Sequence, residues 1–339
     1  MQRYRRLMSI GLVFPTALAY ADTPMSYLRT YGPAADPVTR LGWGLGAISL
    51  VVTLIIAVLL LVALLRPRAK ATYDERGRLG VQRDEGGLSW IFVGVGVSTV
   101  VLLIATAWTL VTLSAVAAPT SPGALTLRIT GNQWWWAVSY REAEPALSFN
   151  TANEIHIPVG QPVRIELSTS DVIHSFWIPQ LAGKTDIIPG QTNVAWLQAD
   201  QPGVYRGQCG EYCGMQHAGM ALDVIADQPE AFRAWLDAQA RPAAVPAPGP
   251  VADGAEIFLS RCSVCHTVRG TQAGGIVGPD LTHVMSRQTL AAGLLPNDAG
   301  NLARWIVDPQ GAKPGCRMPN LGLAADEVGG LLAYVQTLK

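Results

Sequence analysis

Charge is scarce in this sequence. Only 15% of its 339 residues are Asp, Glu, Lys or Arg, and 25 basic residues balance 25 acidic ones to a formal net charge of +0. A chain without a basic field has nothing to draw it onto nucleic-acid phosphates, so no nucleic acid is expected as a partner. Cysteine and histidine are scarce as well, five of each, so each can be asked for a role. What is plentiful is apolar: 49% of the residues are hydrophobic, high for a soluble protein, and a membrane portion is the first expectation.

Residues 1–21 read as a secretory signal peptide: Arg3, Arg5 and Arg6, an apolar run, then Ala19-Tyr20-Ala21 as a small-x-small cleavage site. Two longer apolar runs, 41–65 and 88–117, each exceed the ~20 residues needed to cross a bilayer and predict a two-helix transmembrane hairpin within 22–118. Arg66, Arg68, Lys70, Arg76, Arg78 and Arg83 lie between them. Positive-inside bias puts that loop in the cytoplasm, and with it both termini and everything beyond on the outer, periplasmic face of a bacterial-type plasma membrane. From 125 onward short alternating stretches such as Leu125-Thr126-Leu127-Arg128-Ile129 and Val163-Arg164-Ile165-Glu166-Leu167 are separated by Gly, Pro and Asn turns, which predicts an all-β sandwich over 119–238. A short helix is expected around 232–238, and an Ala/Pro-rich linker over 239–251, with Pro242, Pro246, Pro248 and Pro250, ends the domain. Residues 252–339 read as a small all-α domain with helices near 254–261, 301–307 and 326–338.

The densest chemistry is Cys209-Gly210-Glu211-Tyr212-Cys213-Gly214-Met215-Gln216-His217-Ala218-Gly219-Met220, with His174 upstream. Two thiolates, two imidazoles and a thioether are donors that copper prefers. The spacing of the cysteines lets a tight loop turn both sulfurs inward to bridge two ions, with His174 and His217 each terminating one and Met220 and the Glu211 carbonyl as weak axial ligands. A disulfide, a tetrahedral zinc site and a mononuclear blue-copper site compete. The first leaves the His and Met pattern unexplained, zinc has no need of Met220, and blue copper uses one cysteine rather than two.

These residues resemble subunit II of cytochrome c oxidase, whose motif C-x-E-x-C-G-x-x-H-x-x-M, with an upstream D-V-x-H-S, is complete here in Cys209 to Met220 and Asp171-Val172-Ile173-His174-Ser175. With Gly183 to Gly190, Pro202 to Gln208 and the hairpin, the likeness runs over roughly 41–224. It implies a cupredoxin-like sandwich, a mixed-valence binuclear copper (CuA) centre, and a magnesium ion shared with subunit I at the Glu211 side chain. Gly131-Asn132-Gln133-Trp134-Trp135-Trp136 resembles the family's G-H-Q-W-x-W stretch, whose first Trp, here Trp134, is where electrons enter; three Trp packing the sandwich near the membrane interface is the plainer alternative. Asn132 replaces the family's His. The family's Glu three residues before a helix-2 Trp, if that is Trp90, is here Gly87, and the displaced Glu85 receives no proton-path role.

Cys262-Ser263-Val264-Cys265-His266 is the attachment pattern of haem c, with Cys262 and Cys265 as covalent anchors and His266 as an iron ligand. A redox C-x-x-C pair or half a zinc site is the competing reading. Gly254 and Phe258 before the motif, Gly278-Pro279-Asp280-Leu281 after it and Lys313-Pro314-Gly315-Cys316-Arg317-Met318-Pro319 ahead of a final helix resemble a small class I cytochrome c. That likeness implies Met318 as the distal ligand, in preference to Met285, and the Pro279 carbonyl as the group that orients His266. Cys316 is left over as a free or buried thiol, and His156 and His283 are expected to be structural or surface residues.

The expected function is that of a subunit of a caa-type cytochrome-c oxidase, an oxidoreductase and proton translocase of the respiratory chain. The chain itself would perform electron transfer only. Electrons from a cytochrome c donor would pass through haem c and binuclear copper to subunit I, with subunit III and membrane lipid as further partners. The electron-accepting subunit of a related nitric oxide reductase and a membrane-anchored copper carrier are the alternatives; a quinol-oxidase subunit lacks the copper ligands. The Ala/Pro tether is expected to raise the local concentration of the haem near the copper, on the order of mM.

Overall fold

The computed structural model describes residues 25–66, 75, 87–119, 125–141 and 148–339. The expected signal peptide, most of the basic loop between the apolar runs, and Glu85 lie outside them. Helices α1 (Asp36–Leu65) and α2 (Gly87–Val116) pack against each other. They are in tight contact at Gly44, where a Cβ would collide with the Trp108 ring. Both helices are long and apolar enough to cross a membrane, and almost all their side chains are exposed. So much uncovered Leu, Ile and Val has a favourable home only in lipid.

Ahead of α1, the Tyr31 N–H donates to the Gln180 carbonyl and the Tyr31 carbonyl accepts from Asp200 N–H, both at 2.8 Å. At the far end of α2 the Trp196 indole N–H donates to the Val116 carbonyl at 2.9 Å. The sheet domain is thus seated directly on the helix ends.

That domain begins with β1 (Leu125–Asn132), β2 (Trp135–Tyr140), β3 (Phe149–Ala152), β4 (Glu154–Pro158) and β5 (Val163–Thr169), and continues with β6 (His174–Phe176), β7 (Thr185–Ile187), β8 (Asn193–Leu197), β9 (Gly203–Gln208) and β10 (Ala221–Asp227). One sheet has the order β3-β2-β1-β5-β8 and a second β4-β10-β9, while β6 and β7 form a separate pair. The alternation read in β1 and β5 is what the pleat needs: Leu127, Ile129, Val163, Ile165 and Leu167 are buried, while Arg128 and Glu166 face each other on the outer side at 3.5 Å. β1 and β5 pair in parallel, so the chain between them must cross from one edge to the other. Between the sheets Trp136, Tyr140, Ile155 and Ile157 are fully buried.

Helix α3 (Pro229–Ala240) closes this domain, setting Trp235 edge-on against Tyr140 and Phe149 and stacking it on His156. α4 (Pro250–Arg261) opens the last domain, followed by the two-residue strands β11 (Thr289–Leu290) and β12 (Leu295–Pro296), then α5 (Ala299–Val307), α6 (Pro309–Ala312) and α7 (Ala325–Val335). α4 crosses α7 with Gly254 against the Gly330 backbone and Phe258 edge-on to Tyr334, ring centres 5.6 Å apart. Its core is Phe258, Leu302, Leu331, Tyr334 and Val335.

Segment 241–249, inside the expected linker, is largely exposed, but it does not hang free. Ala243 N–H donates to the Arg269 carbonyl at 2.9 Å, and the Arg269 guanidinium donates back to the Gln239 and Ala240 carbonyls. The last carbonyls of a helix have no partner within it, and here an arginine takes two of those that end α3, where the linker begins.

Candidate metal centre and haem cleft

Four elements deliver the copper-type donors: His174 starts β6, Cys209 follows β9, Cys213 lies in the loop after it, and His217 opens the short turn ahead of β10, with Met220 at that turn's end. The two thiol sulfurs stand 3.7 Å apart, far beyond the ~2.05 Å of a disulfide. His174 Nδ1 is 3.8 Å from Cys209 Sγ and His217 Nδ1 is 3.6 Å from Cys213 Sγ, one imidazole per sulfur. Met220 Sδ lies 3.8 Å from Cys213 Sγ, and the Glu211 carbonyl 3.2 Å from Cys209 Sγ. His174, Cys209, Cys213 and Met220 are all buried. The disulfide alternative does not fit this separation, and a set of two sulfurs, two imidazoles, a thioether and a carbonyl fits copper better than four-ligand zinc.

Electrostatics favour a thiolate here. The hydrogen bond shared between the two sulfurs holds Cys209 well below the ordinary thiol range, and Cys213 itself is pushed up by the same bond and by burial. Asp171 sets the state of His174: its Oδ1 is 2.8 Å from Nε2, so Nε2 carries the proton and the Nδ1 lone pair is left for a metal. Burial works against the Asp171 carboxylate, but hydrogen bonds from His174 and from the Gln133 and Val172 backbones hold it below its ordinary range. Asp171 was quoted in the D-V-x-H-S motif without a role; its spacing of three before the histidine was the available signal.

Trp134 is buried at the loop's edge, and its indole N–H donates to the Cys213 carbonyl at 3.0 Å; the Gln133 amide reaches the same oxygen at 2.8 Å. The aromatic stretch therefore touches the backbone of a copper-type cysteine rather than only packing the sandwich. The Glu211 carboxylate has no partner among the described residues.

In the helical domain a cavity of about 260 Å³ opens between His266 and Met318. Cys262, Cys265, Pro279, Leu281 and Trp305 line it; Met285 does not, and instead packs on the domain core. The His266 Nδ1–H donates to the Pro279 carbonyl at 2.8 Å, which leaves the Nε2 lone pair free to ligate an iron. Burial pushes His266 below the ordinary histidine range, so the imidazole is neutral and able to ligate. Paired thiols beside that histidine and a thioether across an apolar cleft suit a covalent haem. The cavity wall also contains Asn132, Gln133, Trp134 and Trp135 from the sheet domain. Sequence reading gave Trp135 no part in the haem cleft, because nothing local in the chain pairs it with the final domain.

The two remaining histidines lie away from both sites, whereas Cys316 lines the cavity wall. His156 sits between Asp227 at 2.6 Å and Glu154 at 3.3 Å, and His283 between the Lys339 and Arg241 carbonyls at 2.6 and 3.0 Å. Both are buried structural histidines rather than surface ones. Cys316 is a free, half-buried thiol pushed up by burial.

Comparison with known proteins agrees with this layout. The family "Cytochrome C oxidase subunit II, periplasmic domain" matches residues 146–227, and the family "Cytochrome c" matches 251–339. A cytochrome c oxidase subunit 2 of Alkalihalophilus pseudofirmus is 38% identical over 215 residues, 63% of this chain and 61% of that protein. One from Bacillus sp. PS3 is 32% identical over 225 residues, 63% of this chain and 62% of that protein. The chain thus matches less than two thirds of the length of these curated relatives. Among solved structures, the periplasmic domain of subunit II of cytochrome oxidase of Bradyrhizobium japonicum is 29% identical, covering 36% of this chain and 96% of that one with a TM-score of 0.33. The chain carries a cupredoxin-like subunit II domain after two apolar helices, then a cytochrome c domain, and those two families imply copper in the first and haem c in the second.

Proposed function

We propose that this chain is the electron-accepting subunit of a haem-copper cytochrome c oxidase of the caa type. When bound, a haem c and a binuclear copper centre supply the one-electron carriers between a cytochrome c donor and subunit I, where oxygen is reduced to water and protons are pumped. The observation that carries the reading is the convergence of two sulfurs 3.7 Å apart with one imidazole on each. A mononuclear site has no use for the second thiolate.

Each residue's part follows from its contacts. Cys209, Cys213, His174 and His217 would hold the copper pair, with Met220 and the Glu211 carbonyl as further weak donors. Asp171 fixes the tautomer of His174, and Pro279 fixes that of His266. Burial of the donors excludes water, which keeps reorganisation on a change of charge small. Cys262 and Cys265 would anchor a haem c, and His266 and Met318 would ligate its iron, the thioether favouring a higher potential. Trp134 lies in the wall of the haem cleft and donates to the Cys213 carbonyl, so it is assigned as the aromatic bridge between the two sites. The Glu211 carboxylate, which has no partner among the described residues, suits a magnesium ion shared with subunit I. α1 and α2 anchor the chain in a bacterial plasma membrane beside subunits I and III, with the folded domains on the periplasmic face.

Metal analysis and electron paramagnetic resonance on the full chain in detergent test this. Two coppers sharing one unpaired electron, plus one covalent low-spin haem, are expected. One copper, or zinc, would overturn the binuclear assignment. In the assembled complex, Cys209→Ser is expected to abolish oxidation of reduced cytochrome c while leaving the haem in place. Undiminished turnover in that variant would sink the copper relay, and assays with oxygen against nitric oxide separate the oxidase from the reductase alternative.

A further inference from the structure

Lys313 is the least expected side chain in the molecule. It belongs to the cytochrome domain, yet its ammonium is buried, 3% exposed, and inserted into the copper domain. Its Nζ donates to the Trp134 carbonyl at 2.7 Å, the Gly219 carbonyl at 2.8 Å and the Ala291 carbonyl at 2.9 Å. An ammonium has three donors, and all three are used. A buried charge is tolerated only where its hydrogen bonds are complete, so this position is specific to one arrangement of the two domains. Two of the acceptors flank the functional residues of the copper domain: one is the Trp134 carbonyl itself and the other immediately precedes Met220.

The rest of the contact is built to match. Ala291 and Ala292 have φ of 54° and 62°, a left-handed conformation that L side chains adopt at a cost, and they form the tip of the β11–β12 hairpin. That tip meets the copper domain: Ala221 N–H donates to the Ala292 carbonyl at 3.1 Å and Arg206 to the Gly293 carbonyl at 3.1 Å. Beside it Gln288 N–H donates to Glu154 at 2.8 Å. On the other side of Lys313, Gln216 donates to the Pro314 carbonyl at 2.8 Å and Arg317 pairs with Asp171 at 3.2 Å. A strained hairpin tip and a fully bonded buried lysine both make sense only when the interface is formed.

We propose that Lys313 is an interdomain latch that holds the cytochrome domain in one docked pose on the copper domain, with the haem cleft walled by Trp134 and Trp135, so that this aromatic face is served from within the chain and closed to an external donor protein. This rests on the relay reading above and deepens it: the donor must meet the cytochrome domain elsewhere, and the step between the two domains needs no docking event. Lys313 acts through the backbone carbonyls it holds, as a positioning residue.

The test is amide hydrogen exchange together with hydroxyl-radical footprinting on the full chain in detergent, comparing wild type with Lys313→Met and Lys313→Gln. In the wild type the Ala221 and Gln288 amides and the Trp134 and Trp135 rings are expected to be protected. Lys313→Met is expected to speed exchange at those amides, and oxidation of those rings, by at least ~10-fold while core amides of both domains stay slow. Lys313→Gln, which keeps two N–H donors at shorter reach, is expected to fall between; it decides the matter if the methionine variant loses core protection too. Unprotected interface amides in the wild type, or wild-type protection in the folded variants, would overturn the latch. Because neither readout needs electron flow, protection that depends on Lys313 in a chain lacking binuclear copper would leave the latch standing and remove the relay instead.

Discussion

Two histidines in this chain have their metal-facing nitrogen chosen by the partner of the other nitrogen, an Asp carboxylate for His174 and a Pro carbonyl for His266. The Asp171 bond is the more exposed to testing, since Asp171 also accepts from the Gln133 backbone and Arg317 and is not itself a ligand. Asp171→Asn keeps the shape but removes the charge that makes the imidazole a better donor, and copper affinity is expected to fall by roughly 10-fold or more. Competition with a chelator of known affinity measures this, and haem content should not change. The proposed ligands could be picked out of the sequence because the chemistry demands fixed residue types: His217, Cys213 and Met220 lie within one loop, and Cys262 to His266 are contiguous. Lys313 and Asp171 were quoted in motifs but given no work, because a side chain that bonds to backbone carbonyls or to a ligand's far nitrogen leaves no residue-type signature of its own.

At the scale of elements, the apolar pattern found the helices and missed the start of two of them. The first membrane helix begins at Asp36 rather than 41, and α4 begins at Pro250, inside the expected linker. Both have Pro in the first helical turn, where its missing N–H costs nothing, and a proline counted as linker composition was in fact a helix start. Glycine was more informative than proline in α4. Gly254 sits so close to Gly330 that a Cβ there would collide with the Gly330 carbonyl. Gly254→Ala must force α4 away from α7, a strain of about 1–3 kcal/mol, and in a domain of this size each kcal/mol is worth about 4–8 °C in Tm. Thermal unfolding followed at the haem band should show that drop, while the copper domain's transition stays in place. Equal stability of the variant would mean that the two helices are not in the close contact described. The alternating strands were also legible, but the parallel β1–β5 pairing was not, since pattern fixes which face a residue occupies and says nothing of which strand lies beside it.

For the molecule as a whole, composition pointed to a loose tether that works by raising local concentration, whereas the structure has the two domains in contact from Glu154–Gln288 at one side to Asp171–Arg317 at the other. Contacts spanning so many residues of sequence, 179 between Trp134 and Lys313, cannot be read from local spacing. On the proposed relay the consequence is a separation of tasks: reduction of the haem by an external donor and passage of the electron onward would use different surfaces. Trp134, buried between the cavity of the helical domain and the Cys213 carbonyl, would belong to the second task alone. Trp134→Leu keeps an apolar side chain there but removes the ring and its N–H, so stopped-flow mixing with reduced cytochrome c should show the haem reduced at the wild-type rate and the copper reduced markedly more slowly. Copper content measured on the same sample distinguishes a lost bridge from a damaged loop. A slowed first phase would instead mean that an outside donor still uses the Trp134 face, and both the bridge assignment and the closed interface would have to be given up.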